Sequence, residues 1–172
     1  MKIDDDDFTL FALPRRFEID TGVLAQRWRD LQAEVHPDRF AAEGAAAQRV
    51  AMQWAVRVNE AYRRLKDPLM RATYLCELAG HPLDPHDNHA MPPKFLARQM
   101  AWHEALNDAE STDAVHALDV EVAGLLQQLR ADVQVDIDQR RDAAAAVPKL
   151  RQWMFLARLR EEIDRRLEAL EN

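Results

Sequence analysis

Few residues in this chain can act as small nucleophiles or bend the backbone sharply: 172 residues include one cysteine, one serine and four glycines. Cys76 has no partner for an intramolecular disulfide, and its place on the stripe Leu75, Leu78, Ala79 suits a small buried side chain. Ser111 is the lone serine and no glycine-rich phosphate loop occurs, so covalent catalysis and nucleotide binding have little to work with. The expectation is a protein that is not an enzyme and carries no cofactor. No stretch approaches about 18 consecutive apolar residues, and the chain starts into Asp4-Asp5-Asp6-Asp7 instead of a basic and then apolar leader. A soluble, cytoplasmic protein without a membrane partner is therefore expected. Strand-like runs are also absent, which makes the expected class all-α, as one or two small helical domains.

Charge is unevenly shared. Residues 1–75 hold 12 Lys/Arg and 12 Asp/Glu, which leaves 11 and 18 for residues 76–172 and puts the whole net charge of −7 there. Nucleic acid needs a basic face that releases phosphate counterions, so it is not an expected partner. Two protein partners reading two different surfaces fit better.

Apolar residues recur at helical spacing. Leu24, Trp28, Leu31 and Val35 lie at offsets of 4, 7 and 11, one narrow stripe on a helix that Asp20 or Thr21 can cap. Pro37 has no N–H and pushes its predecessor out of the helical region, so this helix, about 22 Å long, stops near His36. Val50, Trp54, Val58, Ala61, Tyr62 and Leu65 make a second stripe that ends at Asp67-Pro68, with Arg49, Arg57, Glu60, Arg63 and Arg64 suited to its solvated side. The two helices are expected to pack antiparallel, with Phe8, Leu10, Phe11 and Leu13 closing the open side in a short helix or turn before Pro14.

The polar, proline-rich run from His81 to His89, closed by Pro92-Pro93, reads as a linker over residues 80–92, separating a domain at 1–79 from one at 93–172. His81, His86 and His89 lack a cysteine or an organising carboxylate pair, so no metal site is expected. Beyond it come three amphipathic patterns, expected to share one core as a three-helix bundle. They are Phe95, Leu96, Met100, Trp102, His103, Leu106; then Val115, Leu118, Val122, Leu125, Leu126, Leu129, Val133; then Leu150, Met154, Phe155, Leu159, Ile163, Leu167, Leu170. Pro148 implies that the last helix either begins there or is kinked after Ala143–Ala146.

His36-Pro37-Asp38 between two such helices, followed by Val58-Asn59-Glu60-Ala61-Tyr62-Arg63-Arg64-Leu65-Lys66-Asp67-Pro68, resembles a J domain, the module that activates DnaK-class heat-shock ATPases. Phe8-Thr9-Leu10-Phe11-Ala12-Leu13-Pro14, Phe40 and Pro68-Leu69-Met70-Arg71-Ala72-Thr73-Tyr74-Leu75 make the likeness more specific: essentially the whole chain resembles the HscB family, J-domain co-chaperones of iron–sulfur cluster assembly. The resemblance implies an N-terminal J domain joined to a C-terminal three-helix bundle. It implies a chaperone partner of the HscA/DnaK class, met by His36, Pro37 and Asp38 with Arg27, Arg29 and Arg39 alongside. It also implies the scaffold protein IscU as client, met by a mixed apolar and acidic patch of Leu96, Met100, Glu104, Asp108 and Phe155. An alternative keeps the J domain but gives it a different client. Two neighbouring patch positions, Ala97 and Ala101, are smaller than relatives can carry.

Overall fold

Asp20 accepts a hydrogen bond from the Val23 N–H (3.0 Å) and so caps the start of a helix that Pro37 prevents from continuing. In the computed structural model, which describes residues 2–84 and 91–171, every regular element among the described residues is helical. These are α1 (Asp7–Leu10), α2 (Thr21–Glu34), a 3₁₀ segment (Pro37–Glu43), α3 (Ala45–Lys66), α4 (Pro68–Leu78), α5 (Pro93–Asp108), α6 (Thr112–Gln134), a π-helical turn (Val135–Gln139) and α7 (Ala143–Glu171). They gather into two compact units, Met1–Leu75 and Cys76–Asn172, so the division falls within α4.

In the first unit α2 and α3 form the hairpin and α1 packs on α3. Leu24, Val58, Ala61 and Leu65 are wholly buried between them, each large aliphatic side chain contributing on the order of 1.5–3 kcal/mol. Trp28 stacks on Tyr62 with ring centroids 4.4 Å apart, and the Asn59 side-chain oxygen accepts from both Trp28 Nε1 (2.9 Å) and Gln32 Nε2 (2.7 Å). Phe8, Phe11 and Phe17 close the hydrophobic core. The second stripe differs from its sequence pattern at one end. Val50 is 53% exposed and Ala51 is buried in its place, because the first turns of α3 extend past the end of α2 and lie over the 3₁₀ segment.

A second departure concerns charge. Arg57 and Arg64, expected on the solvated face, turn instead to Asp7, whose carboxylate is fully buried: Arg57 Nη1 lies 2.7 Å from Oδ1 and Arg64 Nη1 3.0 Å from Oδ2. Asp4–Asp7 is thus not a uniform acidic run. Asp6 is the N-cap of α1, accepting from the Phe8 and Thr9 N–H groups, from Thr9 Oγ1 and from Arg15 Nη2 (2.7 Å). Its burial raises the carboxyl pKa, but these donors outweigh it and hold the group at about 2. Arg71, 2% exposed, donates to the carbonyls of Phe17 and Leu65 and sits over the Phe17 ring.

Gly80, at φ +83°, ends α4: its N–H bonds Glu77 O and the His81 N–H bonds Cys76 O, a closure that needs the left-handed conformation at that residue. Residues 85–90 of the expected linker, with His86 and His89, lie outside the described residues.

The second unit packs α5, α6 and α7 around Phe95, Trp102, Leu106, Val115, Val122, Leu156, Leu159 and Ile163. Trp153 and Leu156 face inward, while Met154 and Phe155 between them are only partly buried, so the α7 stripe is rotated from its sequence reading. Helix α7 does not begin at Pro148. It starts at Ala143 and carries the proline in its second turn. Only the Pro148–Ala144 hydrogen bond is forfeited, and Ala144 is exposed, where water can serve its carbonyl. The π-helical turn places Asp136 out of solvent between Arg140 (3.3 Å) and Lys149, which bonds its other oxygen. Cys76 is buried and its thiol lies 3.6 Å from Ala143 O; burial, with Glu77 nearby, pushes its pKa up to about 11, so it stays protonated and inert.

Candidate functional site

The hairpin ends in a stop with a defined shape. Val35 is the C-cap of α2, and His36 adopts extended backbone and caps the 3₁₀ segment, its Nδ1 accepting the Asp38 N–H at 3.3 Å. Pro37 occupies the first 3₁₀ position, where its missing N–H is not needed. The His36 and Asp38 side chains project outward: His36 is 59% and Asp38 93% exposed, with Nδ1 and Asp38 Oδ2 3.7 Å apart. The proline therefore holds an imidazole and a carboxylate at a short, constrained separation on the surface.

The three arginines differ. Arg29 is exposed and bonds Gln26 (2.7 Å), and Arg39, also exposed, donates to Ala33 O (3.0 Å) beside the loop. Arg27 is half-buried, and its Nη1 donates to the carbonyls of Phe11 and Ala12, which ties α2 to the turn after α1. A shallow hollow of about 440 Å³ is lined by Arg29, Gln32, Ala33, His36 and Ala55.

On α5 the structure separates residues that the sequence pattern had merged. Phe95, Trp102 and Leu106 face the core, whereas Leu96 (43% exposed), Met100 (75% exposed), Glu104 and Asp108 face solvent. The spacing of four between successive members sets them along one face. Phe155 of α7 is partly buried, its ring 5.7 Å from Phe95, 6.3 Å from Trp102 and 5.8 Å from His103. It thus belongs both to the surface and to the aromatic cluster beneath it. Glu121 of α6 accepts from Trp102 Nε1 and Arg98 Nη2, both at 3.0 Å; these two donors hold its carboxyl below the usual carboxylate range and fasten α5 to α6. Among the described residues no group of three or more His, Cys, Asp or Glu could hold a metal ion, and no helix is long and apolar enough to cross a membrane.

The supporting residues were harder to see in advance. Asn59 stands inside the motif that runs from Val58 to Pro68, but nothing in its neighbours states that Trp28 and Gln32 converge on it. The Asp7 pairings span 50 and 57 residues and leave no periodic trace.

A helical hairpin bent at His36-Pro37-Asp38, with α1 closing it and a three-helix bundle in the second unit, is the architecture of a J-domain co-chaperone. A family described as "HSCB C-terminal oligomerisation domain" matches residues 91–164. A relative named "Co-chaperone protein HscB homolog", from Bordetella petrii, is 50% identical over 92% of this chain and 94% of its own length. Among solved structures, chaperone HscB from Vibrio cholerae superposes with a TM-score of 0.85 at 34% identity, covering 96% of this chain and 99% of that one. Human co-chaperone protein HscB gives a TM-score of 0.91 at 27% identity, covering 100% of this chain and 86% of that one. The chain belongs to the HscB family of co-chaperones.

Proposed function

We propose that this chain is a cytoplasmic co-chaperone that stimulates ATP hydrolysis by a specialised DnaK-class chaperone of the HscA type and delivers the scaffold protein IscU to it, without bond chemistry of its own. The observation that carries the reading is the exposed His36–Asp38 pair on a proline-fixed bend. A J domain can accelerate its partner only by binding the hydrolysis-competent state better than the resting one. Asp38 accepts charge-assisted hydrogen bonds from an arginine of the chaperone, Arg29 and Arg39 add attraction around the loop, and Arg27 positions the helix that carries it. Leu96, Met100, Glu104, Asp108 and Phe155 grip the scaffold. Because residues 1–79 dock the chaperone and residues 93–172 hold the client, one chain joined through 80–92 raises the effective concentration of each partner for the other.

The test is steady-state ATPase of the chaperone with and without scaffold. A synergistic rise is expected, and His36→Gln or Asp38→Asn abolishes the J-domain contribution with helical content unchanged. Undiminished stimulation by both variants refutes the docking assignment. The exposed Ala97 and Ala101 favour one second reading, an adaptor for a different client. Failure of IscU to bind the full chain at micromolar concentrations would select it.

A further inference from the structure

Beside the docking loop, the first unit holds an open groove of about 660 Å³ whose makeup differs from that of the Arg29–His36 hollow. Its walls are Phe40 of the 3₁₀ segment, Val35 at the end of α2, and Val50, Ala51 and Trp54 of α3. Two carboxylates, Glu34 and Glu43, also line it, and neither has an ion-pair partner among the described residues. Val50, which helical spacing assigns to the hairpin core, is 53% exposed and presents its side chain to this groove.

We infer that this groove is a second docking element for the same chaperone, taking an apolar side chain from a segment of that chaperone flanked by Lys or Arg. The proposal rests on the co-chaperone reading above and names the chemistry of the partner surface. An apolar hollow between two unpaired acids discriminates in favour of a hydrophobic residue with basic neighbours and against an acidic one. Its position matters as well. Val35 immediately precedes His36 and Phe40 follows Asp38 by two residues, so a segment seated there meets the bend at the same time. The neighbouring hollow, with Arg29 and His36, has the opposite character. Two unlike cavities beside one tip allow the chaperone a single orientation.

The experiment titrates full-length protein against a purified HscA-type chaperone and separates the concentration giving half-maximal ATPase stimulation from the maximal rate. Val50→Asp is expected to raise the half-maximal concentration at least tenfold, the scale of losing one buried aliphatic side chain, and to leave the maximal rate unchanged. Glu34→Gln with Glu43→Gln raises it less and reduces its dependence on salt. Val56→Asp, 57% exposed on the same helix but outside the groove, is the control and stays at the wild-type value. As a direct readout, the Trp54 indole N–H resonance, assigned with Trp54→Phe, shifts on chaperone addition. An unmoved Trp54 signal, a wild-type titration curve for Val50→Asp, or equal loss in Val56→Asp overturns the groove while the docking loop stands. Absence of stimulation by the wild-type protein removes the co-chaperone reading and the groove with it.

Discussion

Arg57 Nη1 stands 2.7 Å from Asp7 Oδ1, joining the first residue of α1 to the middle of α3 through a carboxylate that solvent does not reach. Arg64 meets the other oxygen, and Tyr74 accepts the Asp7 backbone N–H at 3.1 Å. Arg57 also donates to the carbonyls of Ile3 and Asp5, so one guanidinium gathers the whole segment before α1. A buried charge left without its counter-charge costs about 3–5 kcal/mol, and the partial exposure of both arginines lowers that figure. Asp7→Asn is expected to destabilise the first unit by about 2 kcal/mol, read as a lower urea midpoint at unchanged slope. A midpoint equal to that of wild type would show that the pair contributes nothing net.

Ala12 has φ +50° in the turn that closes α1, where its N–H bonds Thr9 O and the Leu13 N–H bonds Phe8 O. That conformation costs a residue with a Cβ about 1–2 kcal/mol, partly offset by the greater chain entropy that glycine loses on folding. Ala12→Gly should therefore stabilise the protein by about 0.5–1 kcal/mol. The check is thermal unfolding, with a higher midpoint expected and a lower one counting against the strain.

Asp6 titrates at about 2 in the fold against 3.8 ordinarily, because Arg15 and Thr9 donate to its charged form despite partial burial. A depressed carboxyl pKa contributes stability that is complete above about 4 and disappears as pH falls toward 2. With Arg15 59% exposed, the amount after solvent screening is on the order of 1 kcal/mol. Asp6→Asn should flatten the stability profile between pH 4 and 2, measured by urea titration at stepped pH. A profile as steep as that of wild type would place the acid sensitivity elsewhere.

Met100 and Phe155 belong to one proposed surface but to different mechanical situations. Met100 is 75% exposed, whereas Phe155 meets three rings. Met100→Ala should leave stability within about 0.5 kcal/mol, whereas Phe155→Ala should cost about 2–3 kcal/mol through the lost aromatic packing. Loss of scaffold affinity in Met100→Ala at unchanged stability is the cleaner evidence for the client surface. Equal destabilisation by the two would place Met100 in the core.

Much of the fold was legible because it is local. Asp20, Pro37 and Asp67-Pro68 mark helix ends through the backbone of their neighbours, and a spacing of three and four displays each apolar face without knowledge of its partner. The exposed bend at His36-Pro37-Asp38 was legible for the same reason, since a proline that stops a helix also presents what stands beside it. Leu96 and Met100 were ambiguous. Periodicity assigns an apolar residue to a face but does not say whether another helix covers that face.

What tertiary structure alone decided is the set of relationships with no sequence period. Asp7 turned from a member of an acidic run into a buried anchor because two arginines 50 and 57 residues away converge on it. Val50 left the core because α2 ends before α3 begins to need it, and Pro148 was absorbed because the chain around it could still bond as helix from Ala143 onward. Helix faces and stops follow from short-range sterics and hydrogen bonding, which one stretch of chain carries by itself. Which face is covered, and which charge finds a partner, depends on where other segments come to rest.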